Sequence, residues 1–273
     1  MTDKYAVIGN PIGHSKSPII HKAFAEQTGE DISYEAILAP LDGFASTVQA
    51  LIARGYKGAN VTVPFKLDAL QLVNRPSGRA HDAGAVNTLS FFGNEIRGDN
   101  TDGVGLICDI QQNLGVKIAG KRVLMLGAGG AAQGVLHPLL NELPVQLVVA
   151  NRTLDKAQAM IKKILSVEHR AFTLTAHAFD DLANAQFEIV INATSTGLTD
   201  TALPIPSSIF AKSCLAYDMM YGRETPFIKQ AREAGAQVAD GLGMLVEQAA
   251  EAFNLWRGVR PLTQPVIQQL RRA

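Results

Sequence analysis

The sequence predicts an α/β fold with two domains. Short apolar runs flanked by glycine or proline alternate with longer amphipathic stretches, a pattern typical of strands and helices alternating around a mostly parallel sheet. The chain has 273 residues, of which 47% are hydrophobic and 18% charged, and this length is enough for two buried cores. Lysine plus arginine equals aspartate plus glutamate at 25 each, so no net charge attracts nucleic acid or an anionic membrane.

The first third of the chain predicts a small α/β unit. Strands are predicted over 5–9, 33–38 and 58–63, and helices are predicted near 18–27 and 41–55 between them. Together these five elements make a complete small α/β unit.

A second series of elements begins after a helix predicted over 102–114. Its strands are predicted over 122–126, 146–150 and 189–192, with helices starting near 131 and 154 between them. This is one β-α-β-α-β half of a doubly wound domain. Two last helices, over 245–257 and 265–271, carry no local signal for the domain on which they pack.

Cysteine usage and the N-terminal residues bear on the compartment. Cys108 and Cys214 fit no metal spacing and are predicted to be free thiols. The first residues run directly into a predicted strand, which leaves no room for a signal peptide, and no apolar run reaches about 18 residues. We therefore expect a cytoplasmic protein without a metal site and without a nucleic-acid or membrane partner.

The run from Gly127 to Ala132 reads GAGGAA, follows an apolar strand and opens a helix. This is the G-x-G-x-x-G/A arrangement in the context that a dinucleotide site requires, which favours it over an ordinary strand-to-helix turn. Gly127 permits the tight turn, and Gly129 lets the backbone approach a pyrophosphate at the positive end of the helix. The predicted phosphate-binding residues are Gly127, Ala128, Gly129, Gly130 and Ala131.

The end of the next predicted strand indicates which dinucleotide binds. An NAD site places an acidic residue there, but this chain has Asn151, Arg152 and Thr153. Arg152 can pair with a 2′-phosphate, and the missing carboxylate removes the repulsion that would exclude that phosphate. Lys156 either adds charge to the same pocket or is simply solvated. The sequence predicts NADP rather than NAD.

The loop after the first predicted strand carries two hydroxyls, Ser15 and Ser17. Ser17 precedes Pro18 and could be only a helix cap, an alternative that leaves Ser15 unexplained. Two hydroxyls beside a helix N-terminus suit a carboxylate ligand. We interpret His14, in the same loop, as a loop residue rather than a catalyst.

Further polar side chains stand at the ends of other predicted elements. Lys66 follows a strand and a proline, where side chains reach a crevice, although a lone lysine is usually exposed. Asn87 and Asp102 add an amide and a carboxylate, and Asp102 could instead be an N-cap. Gln248 shares an apolar helical face with Ala252, where its amide needs either a ligand hydroxyl or a backbone partner.

The chain resembles the shikimate dehydrogenase family over nearly its whole length. The motifs occur in family order: GNPIGHSKSP, NVTVPFK, GAVNT, DNTDG, GAGGAA, NRT, NATSTG and DGLGMLVEQAA. The resemblance implies an N-terminal α/β substrate domain over 1–103 and 242–273, and a Rossmann-type doubly wound NADP-binding domain over 104–241. It also implies NADPH-dependent reduction of 3-dehydroshikimate to shikimate, a step of chorismate and aromatic amino acid biosynthesis, by a monomer or homodimer.

The resemblance implies roles for individual residues. Lys66 and Asp102 would form the catalytic pair, because ketone reduction needs a proton donor for the developing alkoxide. Ser15 and Ser17 would bind the shikimate carboxylate. Its ring hydroxyls would be bound by Thr62, Asn87, Asp102 and Gln248, with Tyr221 nearby. The run from Ala193 to Gly197, which includes Thr194, and Met219 would form the nicotinamide-side wall, and Gly241 would let the backbone approach the cofactor closely.

Two departures from the family pattern and three rival functions stay open. Lys156 replaces an arginine fork with a point charge, and Tyr221 is followed by Gly222 and Arg223 without the usual proline. The rivals are a quinate/shikimate dehydrogenase using NAD, a non-catalytic NADPH-binding sensor, and a dehydrogenase for another small acid. Arg152 argues against the first rival, and the presence of both catalytic groups argues against the sensor.

Overall fold

The computed structural model describes residues 2–165, 173–196 and 200–272. Its contacts divide the chain into two compact units. Unit 1 comprises Met1–Gly105 and Leu245–Ala273, and unit 2 comprises Leu106–Met244. The sequence predicted domains over 1–103 with 242–273 and over 104–241.

Strands and helices alternate through most of the chain. The strands are β1 (Asp3–Gly9), β2 (Ile32–Leu38), β3 (Tyr56–Val61), β4 (Arg75–Pro76), β5 (Thr88–Phe92), β6 (Glu95–Asp99), β7 (Arg122–Leu126), β8 (Gln146–Ala150), β9 (Thr173–His177), β10 (Phe187–Asn192), β11 (Phe210–Asp218) and β12 (Gln237–Asp240). The α-helices are α1 (Ser17–Thr28), α2 (Phe44–Ala53), α3 (Lys66–Leu72), α4 (Gly78–Ala83), α5 (Asp102–Cys108), α6 (Gly130–Asn141), α7 (Leu154–Leu165), α8 (Pro226–Glu233), α9 (Leu242–Arg257) and α10 (Gln264–Arg272). The α/β class predicted from the sequence is confirmed.

The sheet of unit 1 has the order β2-β1-β3-β5-β6-β4 and is mixed. Strand β1 pairs in parallel with β2 and β3, whereas β5 runs antiparallel to both β3 and β6. Strand β4 pairs in parallel with β6, so β5 alone runs against the other strands, and the prediction of a mostly parallel sheet is confirmed with this one exception. The reason is local: β5 and β6 are joined by the two residues Gly93 and Asn94, and so short a connection allows only a hairpin.

The sheet of unit 2 is parallel throughout, with the order β12-β11-β10-β7-β8-β9. The strand predicted over 189–192 as third in this series is the fourth, because β9 precedes it and pairs with β8. β9 was not predicted, because Thr175 and His177 interrupt its apolar pattern. Both side chains are half-buried at the edge of the sheet, where polar residues are tolerated.

Several element boundaries differ from the prediction. Helix α2 begins at Phe44 rather than 41, and α9 begins at Leu242 rather than 245. The helix predicted over 102–114 is α5 followed by a π-helical turn, Asp109–Asn113. Within the part of the chain that the structure describes, no helix combines the length and apolarity that crossing a membrane needs.

Apolar side chains fill a core on each side of the unit 2 sheet and a third core in unit 1. The central strand β7 contributes Val123 and Met125 to one face and Leu124 and Leu126 to the other, so all four are fully buried. Neither Cys108 nor Cys214 forms a disulfide bond, as predicted.

His21, on α1, lies in an aromatic cluster of unit 1. Its ring is completely buried and stacks on Tyr34 with 4.1 Å between ring centroids. Burial lowers the pKa of His21 to about 3, and the Asn60 side chain offsets only part of this effect. The other aromatic rings around it are Phe24, Phe253 and Trp256.

We predict that His21 makes unit 1 sensitive to acid. The unfolded chain binds a proton at His21 below pH about 6.5, whereas the folded chain does so only near 3. Stability is therefore complete above pH 6.5 and falls as the pH drops, by about 2 kcal/mol at pH 5 and at most about 5 kcal/mol. Urea unfolding at pH 7.5 and 5 measures this loss, and His21→Phe is expected to reduce it.

His81→Gln, at an exposed histidine of the same unit, is the matched control and should leave the loss unchanged. An equal acid loss in wild type and His21→Phe would contradict the prediction.

Candidate functional site

Two groups of predicted site residues are assembled, one within each unit. The unit 1 group centres on Lys66, whose Nζ donates to Asp102 Oδ2 at 2.5 Å. Asn87 Nδ2 donates to the other carboxylate oxygen, Oδ1, at 2.8 Å. The ammonium side chain is 30% exposed and the carboxylate 15%, so the pair is partly shielded but open to a ligand.

Local structure places the two members of this pair at the starts of helices. Lys66 is the first residue of α3, which begins after β3 and the turn containing Pro64, and its carbonyl accepts from the Val86 amide at 2.9 Å. Asp102 is the first residue of α5, and its backbone N–H donates to Asn100 Oδ1 at 3.1 Å. Its carboxylate is engaged by Lys66 and Asn87, so the simple capping interpretation of Asp102 is wrong.

Asn87 is a buried residue that connects these elements. Its Oδ1 accepts from the Thr101 amide at 2.9 Å and from Thr88 Oγ1 at 2.8 Å. Its Nδ2 also lies 3.0 Å from Thr101 Oγ1. Because a buried amide with this many partners has one orientation, the carboxamide fixes the position of the Asp102 carboxylate.

Gln248 lies on α9 beside the same cluster. Its Nε2 donates to the Leu245 carbonyl at 2.8 Å, so the backbone partner considered from the sequence is present. Its Oε1 lies 3.4 Å from both Asn87 Nδ2 and Thr101 Oγ1, a distance at the limit of hydrogen bonding. The amide oxygen therefore faces the cluster and retains capacity for a further donor.

The serine loop and Thr62 also belong to unit 1. Ser17 is the first residue of α1 and the capping position is Lys16, so Ser17 is not the helix cap. Ser15 Oγ accepts from the Ser17 backbone amide at 3.3 Å, which places both residues at the helix N-terminus. Thr62 follows β3 directly and packs its methyl group against Gly9, where an added Cβ would lie 2.5 Å away.

The predicted nucleotide-binding residues line a cavity of about 650 Å³ in unit 2. Gly127 adopts φ +106°, which favours glycine, and an added Cβ would lie 3.1 Å from the Ala193 carbonyl oxygen. An added Cβ at Gly129 would meet no atom within 4 Å, which leaves room for a ligand at the start of α6. The predicted residues that line this cavity are Gly127, Ala128, Gly129, Gly130, Ala131, Asn151, Arg152, Thr153, Lys156 and Thr194.

The charge of this cavity fits a phosphorylated dinucleotide. Arg152 and Lys156 lie on its wall, and none of its described lining residues is acidic. Asn151 Nδ2 donates to the Thr153 carbonyl at 2.8 Å, which closes the turn that carries Arg152. A helix N-terminus, two cations and an open glycine face together form a site for several phosphate groups.

Met219 and Gly241 do not line the cavity but contact each other after β11 and β12. The Gly241 amide donates to the Met220 carbonyl at 2.9 Å, and an added Cβ would collide with the Met219 carbonyl oxygen. Glycine is thus required here by a protein neighbour. Tyr221 lies in the same unit and is half-buried, and burial raises the pKa of its hydroxyl.

Several residues that line the cavity were not predicted from the sequence. Phe179 follows β9, the strand that was not predicted, and a turn after it places its ring on the wall. Gly197, the last residue of the NATSTG motif, lies outside the described residues. The other lining residues that were not predicted are Thr201, Ala202, Leu203 and Pro204, whereas Ala193, Ser195 and Thr196 belong to the run expected beside the cofactor.

A metal site was not expected from the sequence. Over residues 2–165, 173–196 and 200–272, no group of three or more His, Cys, Asp or Glu side chains is arranged to hold a metal ion.

Comparison with known families decides which group of proteins these two sites belong to. Residues 7–89 match the shikimate dehydrogenase substrate binding domain, and residues 109–199 match the shikimate / quinate 5-dehydrogenase family. Residues 241–271 match the shikimate 5′-dehydrogenase C-terminal domain. The chain belongs to the shikimate dehydrogenase family. The resemblance read from its motifs is thereby confirmed.

Relatives in this family match over almost the entire chain. A shikimate dehydrogenase (NADP(+)) from Methylobacillus flagellatus is 60% identical, with 99% of this chain and all of the relative covered. One from Dechloromonas aromatica is 56% identical, covering 99% of this chain and 98% of the relative.

Solved structures of similar proteins include enzymes with different names. An Ael1 enzyme from Pseudomonas putida has a TM-score of 0.93 at 47% identity, covering 98% of both chains. Shikimate 5-dehydrogenase from Thermus thermophilus, in complex with NADP(H) and shikimate, has a TM-score of 0.87 at 32% identity, covering 99% of both chains. A 5-ketofructose reductase from Gluconobacter has a TM-score of 0.85 at 27% identity, covering 100% of this chain and 99% of that one.

We predict different consequences for alanine at two glycines of the nucleotide-binding turn. Gly127→Ala should lower the free energy of unfolding by about 1–3 kcal/mol, because it combines an unfavourable φ with a contact to the Ala193 carbonyl. Gly129→Ala is the matched control and should change stability by no more than about 0.5 kcal/mol, because its Cβ meets open space. Chemical denaturation of both variants measures the difference, and equal stabilities would contradict it.

Proposed function

We propose that this chain is an NADP-dependent shikimate dehydrogenase that reversibly reduces 3-dehydroshikimate to shikimate. The observation that carries the proposal is the Lys66–Asp102 pair, held by Asn87 in a chain 60% identical to a shikimate dehydrogenase (NADP(+)). The matched families and the thermophile structure with NADP(H) and shikimate support the same reaction.

In this reaction Lys66 acts as the general acid for ketone reduction. NADPH, when bound, supplies the hydride. As the carbonyl oxygen gains negative charge, the Lys66 ammonium stabilises it and delivers a proton from Nζ. In the reverse direction the lysine accepts the proton from the hydroxyl. Asp102 holds the ammonium at 2.5 Å and also binds the reacting hydroxyl.

The remaining unit 1 residues bind the substrate. Ser15 and Ser17 bind its carboxylate at the N-terminus of α1, where backbone N–H groups add favourable dipoles. The ring hydroxyls are bound by Thr62, Asn87 and Gln248, whose amide oxygen has remaining hydrogen-bonding capacity. These roles make residues 1–103 and 242–273 the substrate-binding domain, supported by the family match over 7–89.

The unit 2 cavity binds NADP, which makes 104–241 the cofactor-binding domain. Residues 127–131 hold the pyrophosphate, and Arg152 with Lys156 holds the 2′-phosphate. We assign Asn151 and Thr153 to the adenosine end of the cofactor, which carries the 2′-phosphate. Thr194, Met219 and Gly241 are assigned to its nicotinamide side. Tyr221 completes the substrate contacts. The cytoplasmic location and the choice between monomer and homodimer stay predictions of the sequence.

A quinate/shikimate dehydrogenase using NAD is the second candidate, because the family matched over residues 109–199 includes quinate enzymes. The absence of an acidic side chain among the described cavity residues favours NADP. Nicotinamide absorbance with shikimate or quinate, each paired with NADP or NAD, distinguishes the candidates. Dominant turnover of shikimate with NADP supports the proposal, whereas comparable turnover of quinate with NAD contradicts it.

Lys66→Met is predicted to abolish most turnover while leaving the cofactor site intact. Loss of the proton donor should lower kcat about 10²- to 10⁴-fold. NADP affinity should be unchanged, because the nucleotide residues lie in unit 2. Steady-state kinetics and a fluorescence titration with NADPH measure both quantities. Lys57→Met, at an exposed lysine on β3, is the control, and a kcat near wild type in Lys66→Met would rule out the acid–base role.

Arg152→Ala is predicted to weaken NADP binding while sparing NAD binding. Loss of the charge-assisted hydrogen bonds to the 2′-phosphate should raise the Kd for NADP by about ten- to a hundredfold. The Kd for NAD should stay the same, because that cofactor lacks the phosphate. Lys162→Ala is the control, because Lys162 lies on α7, the helix of Lys156, but does not line the cavity. Equal losses for both cofactors would exclude a specific contact with the phosphate.

A further inference from the structure

Arg79 makes a three-point contact between two elements of unit 1. Its Nε and Nη2 donate to the two oxygens of Asp99, at 2.9 and 2.8 Å. Its Nη1 donates to Glu251 Oε1 at 2.8 Å. One planar guanidinium therefore joins the end of β6 to the middle of α9.

The Asp99 contact leads directly to Asp102. Asp99 lies three residues before Asp102. The Asp99 Oδ1 also accepts from Ser77 Oγ at 2.9 Å and from the Asn100 amide at 2.7 Å. Asn100 is buried, and its side chain accepts from the Asp102 amide at 3.1 Å. Fixing Asp99 therefore fixes the short segment from which the Asp102 carboxylate projects.

The Glu251 contact leads in the same way to Gln248. Glu251 lies three residues after Gln248, close to one helical turn along α9. Its second oxygen accepts from Arg260 Nη1 at 2.6 Å, and Arg260 Nη2 donates to Glu247 at 2.8 Å. Glu247 directly precedes Gln248 and is only 2% exposed. The carboxylates on both sides of Gln248 are thus held by arginines.

We propose that Arg79 is a positioning residue that sets the placement of Gln248 relative to Asp102. The inference rests on the proposed function, in which Gln248 binds a ring hydroxyl and Asp102 the reacting hydroxyl. Arg79 itself contacts neither the Lys66 ammonium nor the Asp102 carboxylate in the described contacts; it acts through Asp99 and Glu251. A lysine at this position has no fork and cannot make the three contacts at once.

The positioning role of Arg79 depends more on the geometry of its hydrogen bonds than on the charge of its guanidinium. The Arg79 side chain is 34% exposed, so solvent screens its attraction to the two carboxylates, each of which is 15% exposed. Three directional hydrogen bonds nevertheless restrict the guanidinium to one position. A small displacement of a substrate-positioning group can lower turnover about a hundredfold, so a bridge of modest stability has a large kinetic effect.

The test compares Arg79→Gln and Arg79→Lys with wild type, using the full chain at saturating NADP. Both variants are expected to lower kcat/KM for shikimate about tenfold or more. NADP affinity should not change, because the cofactor residues lie in unit 2. Arg97→Gln is the matched control, since Arg97 lies on β6, the strand that carries Asp99, and pairs with Glu95 at an exposed position.

Variants that remove one Arg79 contact at a time distinguish a positioning role of Arg79 from a role in stability alone. Glu251→Gln should chiefly raise KM, because it frees Gln248, and Asp99→Asn should chiefly lower kcat, because it frees Asp102. Changes only in the melting temperature, with wild-type kcat and KM in folded Arg79→Gln, would overturn the inference. If Arg79→Gln does not fold, the kcat and KM of Arg79→Lys and Glu251→Gln are used instead, and wild-type values in both would overturn the inference. Wild type without shikimate turnover would overturn the proposed function and this inference with it.

Discussion

The Asn87 carboxamide is the contact on which the unit 1 site depends. Asn87 is buried directly before β5, and its side chain bonds the Asp102 carboxylate, the Thr101 backbone and the Thr88 hydroxyl. Because an unsatisfied buried amide is costly, these partners must assemble together or not at all. The Asn60 side chain extends the same network, since its Nδ2 donates to the Asn87 carbonyl at 3.3 Å. The Lys66 ammonium thus meets a carboxylate whose position is already determined.

Unit 2 meets a different requirement, because its ligand must enter a site that is open before binding. Backbone conformation shapes this site. Gly127 makes the turn at φ +106°, and Gly129 leaves open space at the start of α6. The charges that complement phosphate, on Arg152 and Lys156, are exposed rather than held in a buried network. Rigid polar contacts therefore define the proposed chemistry in unit 1, whereas open space and positive charge define recognition in unit 2.

Much of this arrangement could be predicted from the sequence, and the exceptions have physical causes. The strands over 122–126 and 146–150 were predicted with their observed bounds because both faces of a central parallel strand are buried and apolar. β9 was missed because polar side chains at a sheet edge break that signal, and Phe179 was missed with it. The hairpin of β5 and β6 had a readable turn, Gly93-Asn94. The Arg79 contacts had no local sequence signal, because Asp99 and Glu251 lie 20 and 172 residues away from Arg79 along the chain.

The position of Gln248 shows how a residue far along the chain can be brought precisely into a site built by the first hundred residues. Helix α9 is anchored at its C-terminal end, where Trp256 Nε1 donates to the Leu89 carbonyl at 3.0 Å and Arg257 pairs with Asp3 at 2.5 Å. Gly58 permits this approach, because an added Cβ would lie 2.6 Å from Trp256 Nε1. An anchor at one end leaves a helix free to tilt, and a second contact closer to Gln248 removes that freedom. The Arg79–Glu251 contact is such a second anchor, and it joins the helix to the strand that leads to Asp102.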